Sequence, residues 1–182
     1  MDVQALLFTA AGTVFHWRSA VIDAMSRRQS PALRASDREA FGLSCCEISL
    51  IEVRAIADLS VPWRLFDAVP ESSLDRILAV RGIGEIPVCN TETLLGAWEH
   101  MPVWPEVPEA LARLRARYLV APHLIVSLRV AAFSSRTAGL NWDAVLSCDA
   151  LGTMKPSPQS YARASRERPA GGADLLRRCA PG

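Results

Sequence analysis

Neither sign of charge is in excess in this chain: 20 lysines and arginines stand against 19 aspartates and glutamates, a formal net charge of +1 over 182 residues. The chain therefore lacks a global field that would draw it to nucleic acid or to an anionic membrane, and a charged partner has to be recognised by local groups. Long hydrophobic runs are lacking too. The first, Val3 to Phe8, falls far short of the ~20 residues that span a bilayer. No secretory n-region precedes it, so the expectation is a cytoplasmic protein with neither membrane nor nucleic acid as partner. The five cysteines, at 45, 46, 89, 148 and 179, contain no CxxC, and His16, His100 and His123 have no ligand spacing. Reduced thiols and no structural metal are expected. Arg81-Gly82-Ile83-Gly84 lacks the strand-to-helix context that makes a glycine pair cradle phosphate, and reads as a loop between helices.

What is present is a globular composition, half hydrophobic and about a fifth charged, in a chain long enough for one domain with a substantial insertion. Val3 to Phe8, short, apolar and followed by a glycine turn, has the pattern of a buried parallel strand. Helical patterns follow at Ser19 to Gln29, Ser36 to Leu59, Ser72 to Arg81 and Thr91 to His100. Ser36 with Glu39, and Ser72 with Asp75, have capping-box spacing. Pro105 to Arg117 reads as an amphipathic helix. Leu119 to Val126 is a second strand despite Pro122, a defect for a central strand. Arg129 to Ala138 is a helix closed by Gly139, Asp143 to Cys148 a third strand, and Ser157-Pro158 opens a helix reaching about Arg168.

This alternation predicts an α/β fold, an open parallel sheet with a large helical insertion after strand one. Ligands bind such sheets at the carboxyl ends of the strands. Thr9, Ser127 and the segment after Cys148 all fall there.

Several patches in this order carry a family resemblance: Ala5-Leu6-Leu7-Phe8 with Gly12-Thr13 and Trp17-Arg18-Ser19; Pro62-Trp63; Ala97-Trp98 with Trp104-Pro105; Gly139-Leu140-Asn141-Trp142-Asp143; and Lys155-Pro156-Ser157-Pro158 with Tyr161. Over nearly its whole length the chain resembles the haloacid dehalogenase-like hydrolases, and within them the type II 2-haloacid dehalogenases. The resemblance implies a Rossmann-like core from 1–16 and 101–182, with a helical cap domain from 17–100. It implies catalytic positions at Thr9, Ser127 and Lys155: the nucleophile, the hydroxyl that binds the anionic group, and the lysine that neutralises charge. Ala10, Gly12, Thr13 and Tyr161 would support them.

The chain departs from the family pattern at four places. The aspartate nucleophile of the family is Thr9 here, and the second aspartate that phosphatase relatives use as general acid/base is Ala11. The cap arginine that holds a substrate carboxylate or halide falls near Cys45-Cys46, with Arg54 and Arg64 nearby but out of the expected context. No counterpart of the fourth-strand motif follows Arg168, so the resemblance implies a core incomplete at the C-terminus and an exposed sheet edge open to self-association. Without carboxylates at Thr9 and in the fourth motif, no Mg²⁺ and no other cofactor is expected. His16 is the best spare acid or base near the first loop, and the five tryptophans, at segment junctions, are expected to pack.

Three readings stay open: a hydrolase of the 2-haloacid dehalogenase type with weak, altered or lost activity; a noncatalytic regulatory protein or one that binds a small organic acid or other small anion; and a truncated product without function.

Overall fold

A computed structural model describes residues 3–27 and 31–166. Strand β1 (Ala5–Phe8) lies parallel to β2 (Leu119–Leu124), which lies parallel to β3 (Leu146–Ser147), in the order β1-β2-β3. Between β1 and β2 the chain forms α1 (Trp17–Ser26), α2 (Pro31–Ala35), α3 (Arg38–Ala57), α4 (Ala68–Val80) and α5 (Val88–Gly96), then a 3-10 turn, Ala97–Glu99, and α6 (Val107–Arg115). Helix α7 (Leu128–Thr137) connects β2 to β3, and α8 (Cys148–Leu151) and α9 (Pro158–Ala164) follow. The expected α/β architecture is thus observed, with helices inserted after the first strand.

Pro122 sits in the central strand, opposite Phe8 of β1, and the neighbouring bonds show how it is tolerated. The amide of Leu119 donates to Gln4 on the β1 side, while that of Val120 donates to the Asp143 carboxylate on the other. Amides alternate along a strand, so position 122 faces β3. Pairing with β3 starts only at His123 and Leu124, and the missing N–H costs no ladder bond. The same geometry shortens the third strand from the expected Asp143–Cys148 to Leu146–Ser147. Asp143 is used as a clasp instead: its amide donates to the Val120 carbonyl and its carboxylate accepts from Val120 and from Arg115 at 2.8 Å. Burial pushes that carboxyl up, yet the Arg115 hydrogen bond and the Val120 amide outweigh it and hold it below its ordinary value.

Both expected capping boxes are corrected. Asp37, not Ser36, caps α3, its carboxylate accepting from the amides of Glu39 and Ala40. Ser72 lies inside α4, which starts a turn earlier at Ala68. Its hydroxyl serves a buried carboxylate, Glu52 of α3. The cap at Ser157 forms as expected, accepting from Gln159. Gly139 stands after α7 with φ 65°, the left-handed conformation of a helix stop.

Two apolar clusters hold the fold. One joins β2 and its neighbours, such as Val120, Leu124 and Met154, to Val53, Phe66, Val69 and Ala97 of the insertion. The other lies wholly within the insertion: Met25, Leu33, Phe41, Leu74, Ile77 and Leu94. Burying side chains of this size contributes about 2 kcal/mol each, so the helices have a core of their own besides the one they share with the sheet. Polar ties reinforce the shared one: Phe66 N–H to the Asp149 carboxylate at 2.9 Å, Ser134 Oγ to the Trp98 carbonyl at 2.9 Å, and Arg129 to both Asp67 and Glu99.

Among the described residues nothing pairs with the outer side of β1, and Val3 and Leu7 are exposed there. The expectations about the segment after Arg168, and Cys179 with them, fall on residues 167–182, outside the described ones. No helix among the described residues is long and apolar enough to cross a membrane.

Candidate functional site

After Phe8 the chain turns sharply. The amides of Thr13, Val14 and Phe15 all donate to the carbonyl of Ala10, which is itself buried. Gly12 takes φ 90°, and its carbonyl accepts from the Trp104 indole at 3.2 Å. The turn is therefore fixed from inside, and it presents Thr9, Ala10 and Ala11 to a cavity of about 410 Å³. Lys155 enters that cavity from the loop after α8. Its Nζ donates to Thr9 Oγ1 at 3.2 Å and to the His123 carbonyl at 2.5 Å. Burial lowers the Lys155 ammonium from its ordinary value, opposed in part by Cys148.

The opposite wall is one face of α3, where Cys46, Ser49, Leu50, Val53 and Arg54 follow helical spacing. Trp17 and Trp98, stacked on each other with centroids 6.3 Å apart, close one side together with Phe66. The lining is mostly apolar, carries two cationic side chains, Lys155 and Arg54, and contains no carboxylate. Arg54 is exposed and forms no hydrogen bond or ion pair through its side chain among the described residues. Arg64, its alternative in the sequence, is committed elsewhere by an ion pair with Glu52.

Of the expected site residues, Thr9, Ala10, Lys155 and Tyr161 line this cavity. Ser127 does not: it is buried as the N-cap of α7, its hydroxyl accepting from Val130 at 3.2 Å. Gly12 and Thr13 stand outside the lining. Gly12 shapes the turn, and Thr13, exposed, contributes its backbone N–H to the Ala10 carbonyl. His16 stacks on Trp104 at 4.3 Å between centroids rather than facing the cavity.

One polar group was invisible in the sequence. His123, on β2, is buried with its Nε2 2.9 Å from Ser160 Oγ and its ring edge-on to Tyr161. Burial, then the Lys155 charge, push its pKa down to about 4, so it is neutral at neutral pH. Strand β2 is buried continuously from Val120 to Leu124, so no alternation singles His123 out, and a lone histidine carries no spacing by which to find it.

Near Thr9 no carboxylate is available to hold Mg²⁺, and no group of three or more His, Cys, Asp or Glu side chains among the described residues is placed to hold a metal ion. An apolar lining with an ammonium and a guanidinium does not fit a hard, oxygen-seeking cation such as Mg²⁺.

No protein-family model matches the chain, and no curated protein matches it. Solved structures do. An L-2-haloacid dehalogenase is similar at 24% identity with a TM-score of 0.80, over 91% of this chain and 70% of that one. A defluorinating L-2-haloacid dehalogenase is similar at 25% identity and 0.82, over 90% and 68%. The L-2-haloacid dehalogenase from Xanthobacter autotrophicus with chloropropionic acid covalently bound is similar at 24% and 0.77, over 90% of this chain and 64% of its own length. The chain thus spans about two thirds of the length of each of these structures, and its fold is that of the L-2-haloacid dehalogenases of the haloacid dehalogenase superfamily.

Proposed function

We propose that this is a cytoplasmic haloacid dehalogenase-like protein of the 2-haloacid type whose cleft binds a small organic acid, the inserted helices acting as its cap, while ordinary dehalogenation is lost at Thr9. One observation carries the reading: the cavity at the strand ends combines an apolar lining with Lys155 and Arg54 and holds no acid of its own. A carboxylate with a short apolar body matches such a lining.

Loss of turnover follows from the chemistry of the nucleophile. A carboxylate that displaces halide becomes an ester, and water cleaves it at the carbonyl carbon of the enzyme's own side chain. The Thr9 hydroxyl would form an ether instead, with no carbonyl to attack. Phosphoryl chemistry lacks its acid/base as well, since Ala11 stands two residues after Thr9.

The test is halide release from 2-chloropropionate by the wild type and by Thr9→Asp, with thermal melting in propionate. The wild type is expected to be silent, Thr9→Asp to release halide, and propionate to raise the melting temperature of both, because a ligand bound only by the native state stabilises it by mass action. Multiple turnovers by the wild type that disappear in Thr9→Ala would overturn the loss of dehalogenation; an unchanged melting temperature would overturn the binding.

A further inference from the structure

The hydroxyl that cannot turn over a haloacid has a partner suited to other chemistry. Thr9 Oγ1 lies 3.2 Å from Lys155 Nζ, within the reach a nucleophile and its base require. The amides of Ala10 and Ala11 donate to no acceptor among the described residues, and both residues line the same cavity. The turn is held by three hydrogen bonds to the Ala10 carbonyl, so these two donors are fixed in advance, as an oxyanion site demands. The rest of the wall is apolar and of a size for a short acyl chain. We propose that Thr9 and Lys155 form a hydroxyl–amine dyad that hydrolyses small, uncharged carboxylic esters through an acyl-threonine, with the Ala10 and Ala11 amides holding the oxyanion.

In the first step neutral Lys155 Nζ takes the Thr9 proton as Oγ1 bonds to the ester carbonyl carbon. The tetrahedral oxyanion collapses, the carbon–oxygen bond to the alcohol breaks, and the lysine proton passes to the leaving alkoxide. In the second, water attacks the acyl carbon, giving its proton to Lys155; the bond to Oγ1 breaks, Thr9 recovers its proton, and the carboxylic acid leaves. Unlike an ether, the intermediate has a carbonyl, so the cycle closes. A serine or threonine with a lysine base is a recurrent alternative to the Ser-His-Asp triad. Burial of Lys155 favours the neutral amine this needs. The carboxylic acid product is the ligand class assigned above to the cleft, so below the Lys155 midpoint, where the ammonium is present, it is expected to inhibit competitively.

The test is p-nitrophenol release from p-nitrophenyl acetate and butyrate, with intact-mass and peptide mapping of acylated protein. The wild type is expected to hydrolyse both, with a rate that rises with pH through a midpoint below that of a free lysine. Thr9→Val and Lys155→Met are each expected to lower kcat/KM about 100-fold, while Thr9→Ser keeps it within about tenfold because the hydroxyl remains. Melting curves establish that the variants are folded. A wild-type rate no higher than that of folded Thr9→Val, or an acyl group mapped to Cys46 or Lys155 instead of Thr9, would overturn the proposal. Propionate binding is read separately by melting, so failure of the esterase leaves the binding measurement standing on its own result.

Discussion

Two of the protein's polar clusters differ in what they leave over. In the helical insertion, Glu52 of α3 is buried and receives Arg64, the Ser72 hydroxyl and, at 3.5 Å, that of Ser73. Every strong group there is spent on another. At the strand ends, Lys155 bridges Thr9 and the His123 carbonyl, while Thr9, Ala10 and Ala11 line the cavity and the amides of Ala10 and Ala11 donate to no acceptor among the described residues. A saturated cluster supports structure. One with donors and a hydroxyl to spare supports binding and reaction.

The sharpest way to break this comparison is to unbalance the saturated cluster. Arg64→Ala leaves the Glu52 carboxylate buried without its countercharge and is expected to cost about 3 kcal/mol in urea unfolding, since removing one partner of such a pair strands the other. The apolar double replacement Glu52→Leu with Arg64→Met is expected to recover most of that loss. A single variant as stable as the wild type would show that Glu52 and Arg64 are not a structural pair.

A somewhat smaller effect is expected from pH at the strand-end cluster. His123 has a folded pKa of about 4 against an ordinary 6.5, so below 6.5 the unfolded chain binds a proton that the native state refuses. Stability from this group is complete above pH 6.5 and is lost as pH falls through the window from 6.5 to 4, by roughly 2 to 3 kcal/mol. Unfolding free energy measured across that window is expected to slope downward towards acid in the wild type and to flatten in His123→Gln, which retains a hydrogen-bonding amide for Ser160. The same slope in both proteins would assign the loss to other groups.

The two clusters were unequally legible in the sequence, for a physical reason. The turn at Thr9 to Gly12 is local: an apolar strand, a glycine that takes φ 90° and the residues between them are consecutive, so their placement at a strand end could be read directly. Lys155 was found only through the resemblance, and His123 not at all, because what unites them with Thr9 is contact across 32 and more positions. Ser127 shows the converse. A hydroxyl at a strand end has the right address for a ligand, yet a helix begins there and its amide claims the oxygen. Ser72 misled for a related reason: serine at capping spacing is ambiguous until a buried carboxylate such as Glu52 is known to need its hydroxyl. The longer helices were largely recovered from their periodicity, whereas the five-residue α2 and the four-residue α8 were too short to leave one.

The smallest expected effect separates the two arginines that lie ten residues apart. Arg54 stands at the end of the α3 face that lines the cavity, exposed and without a side-chain partner among the described residues, whereas Arg64 is held by Glu52. If Arg54 attracts the ligand carboxylate, Arg54→Ala should weaken propionate binding only several-fold, under about 1 kcal/mol, because a solvated guanidinium recovers most of its interaction energy from water. Its dependence on salt should fall as well, as one screened attraction is removed. Stability should hardly change, in contrast to Arg64→Ala, since no buried group loses its partner. Titration calorimetry with propionate at low and moderate ionic strength reads both quantities. Equal affinity and equal salt dependence in wild type and variant would leave Lys155 as the cation that recognises the acid, and would place Arg54 with the ordinary charged surface of the insertion.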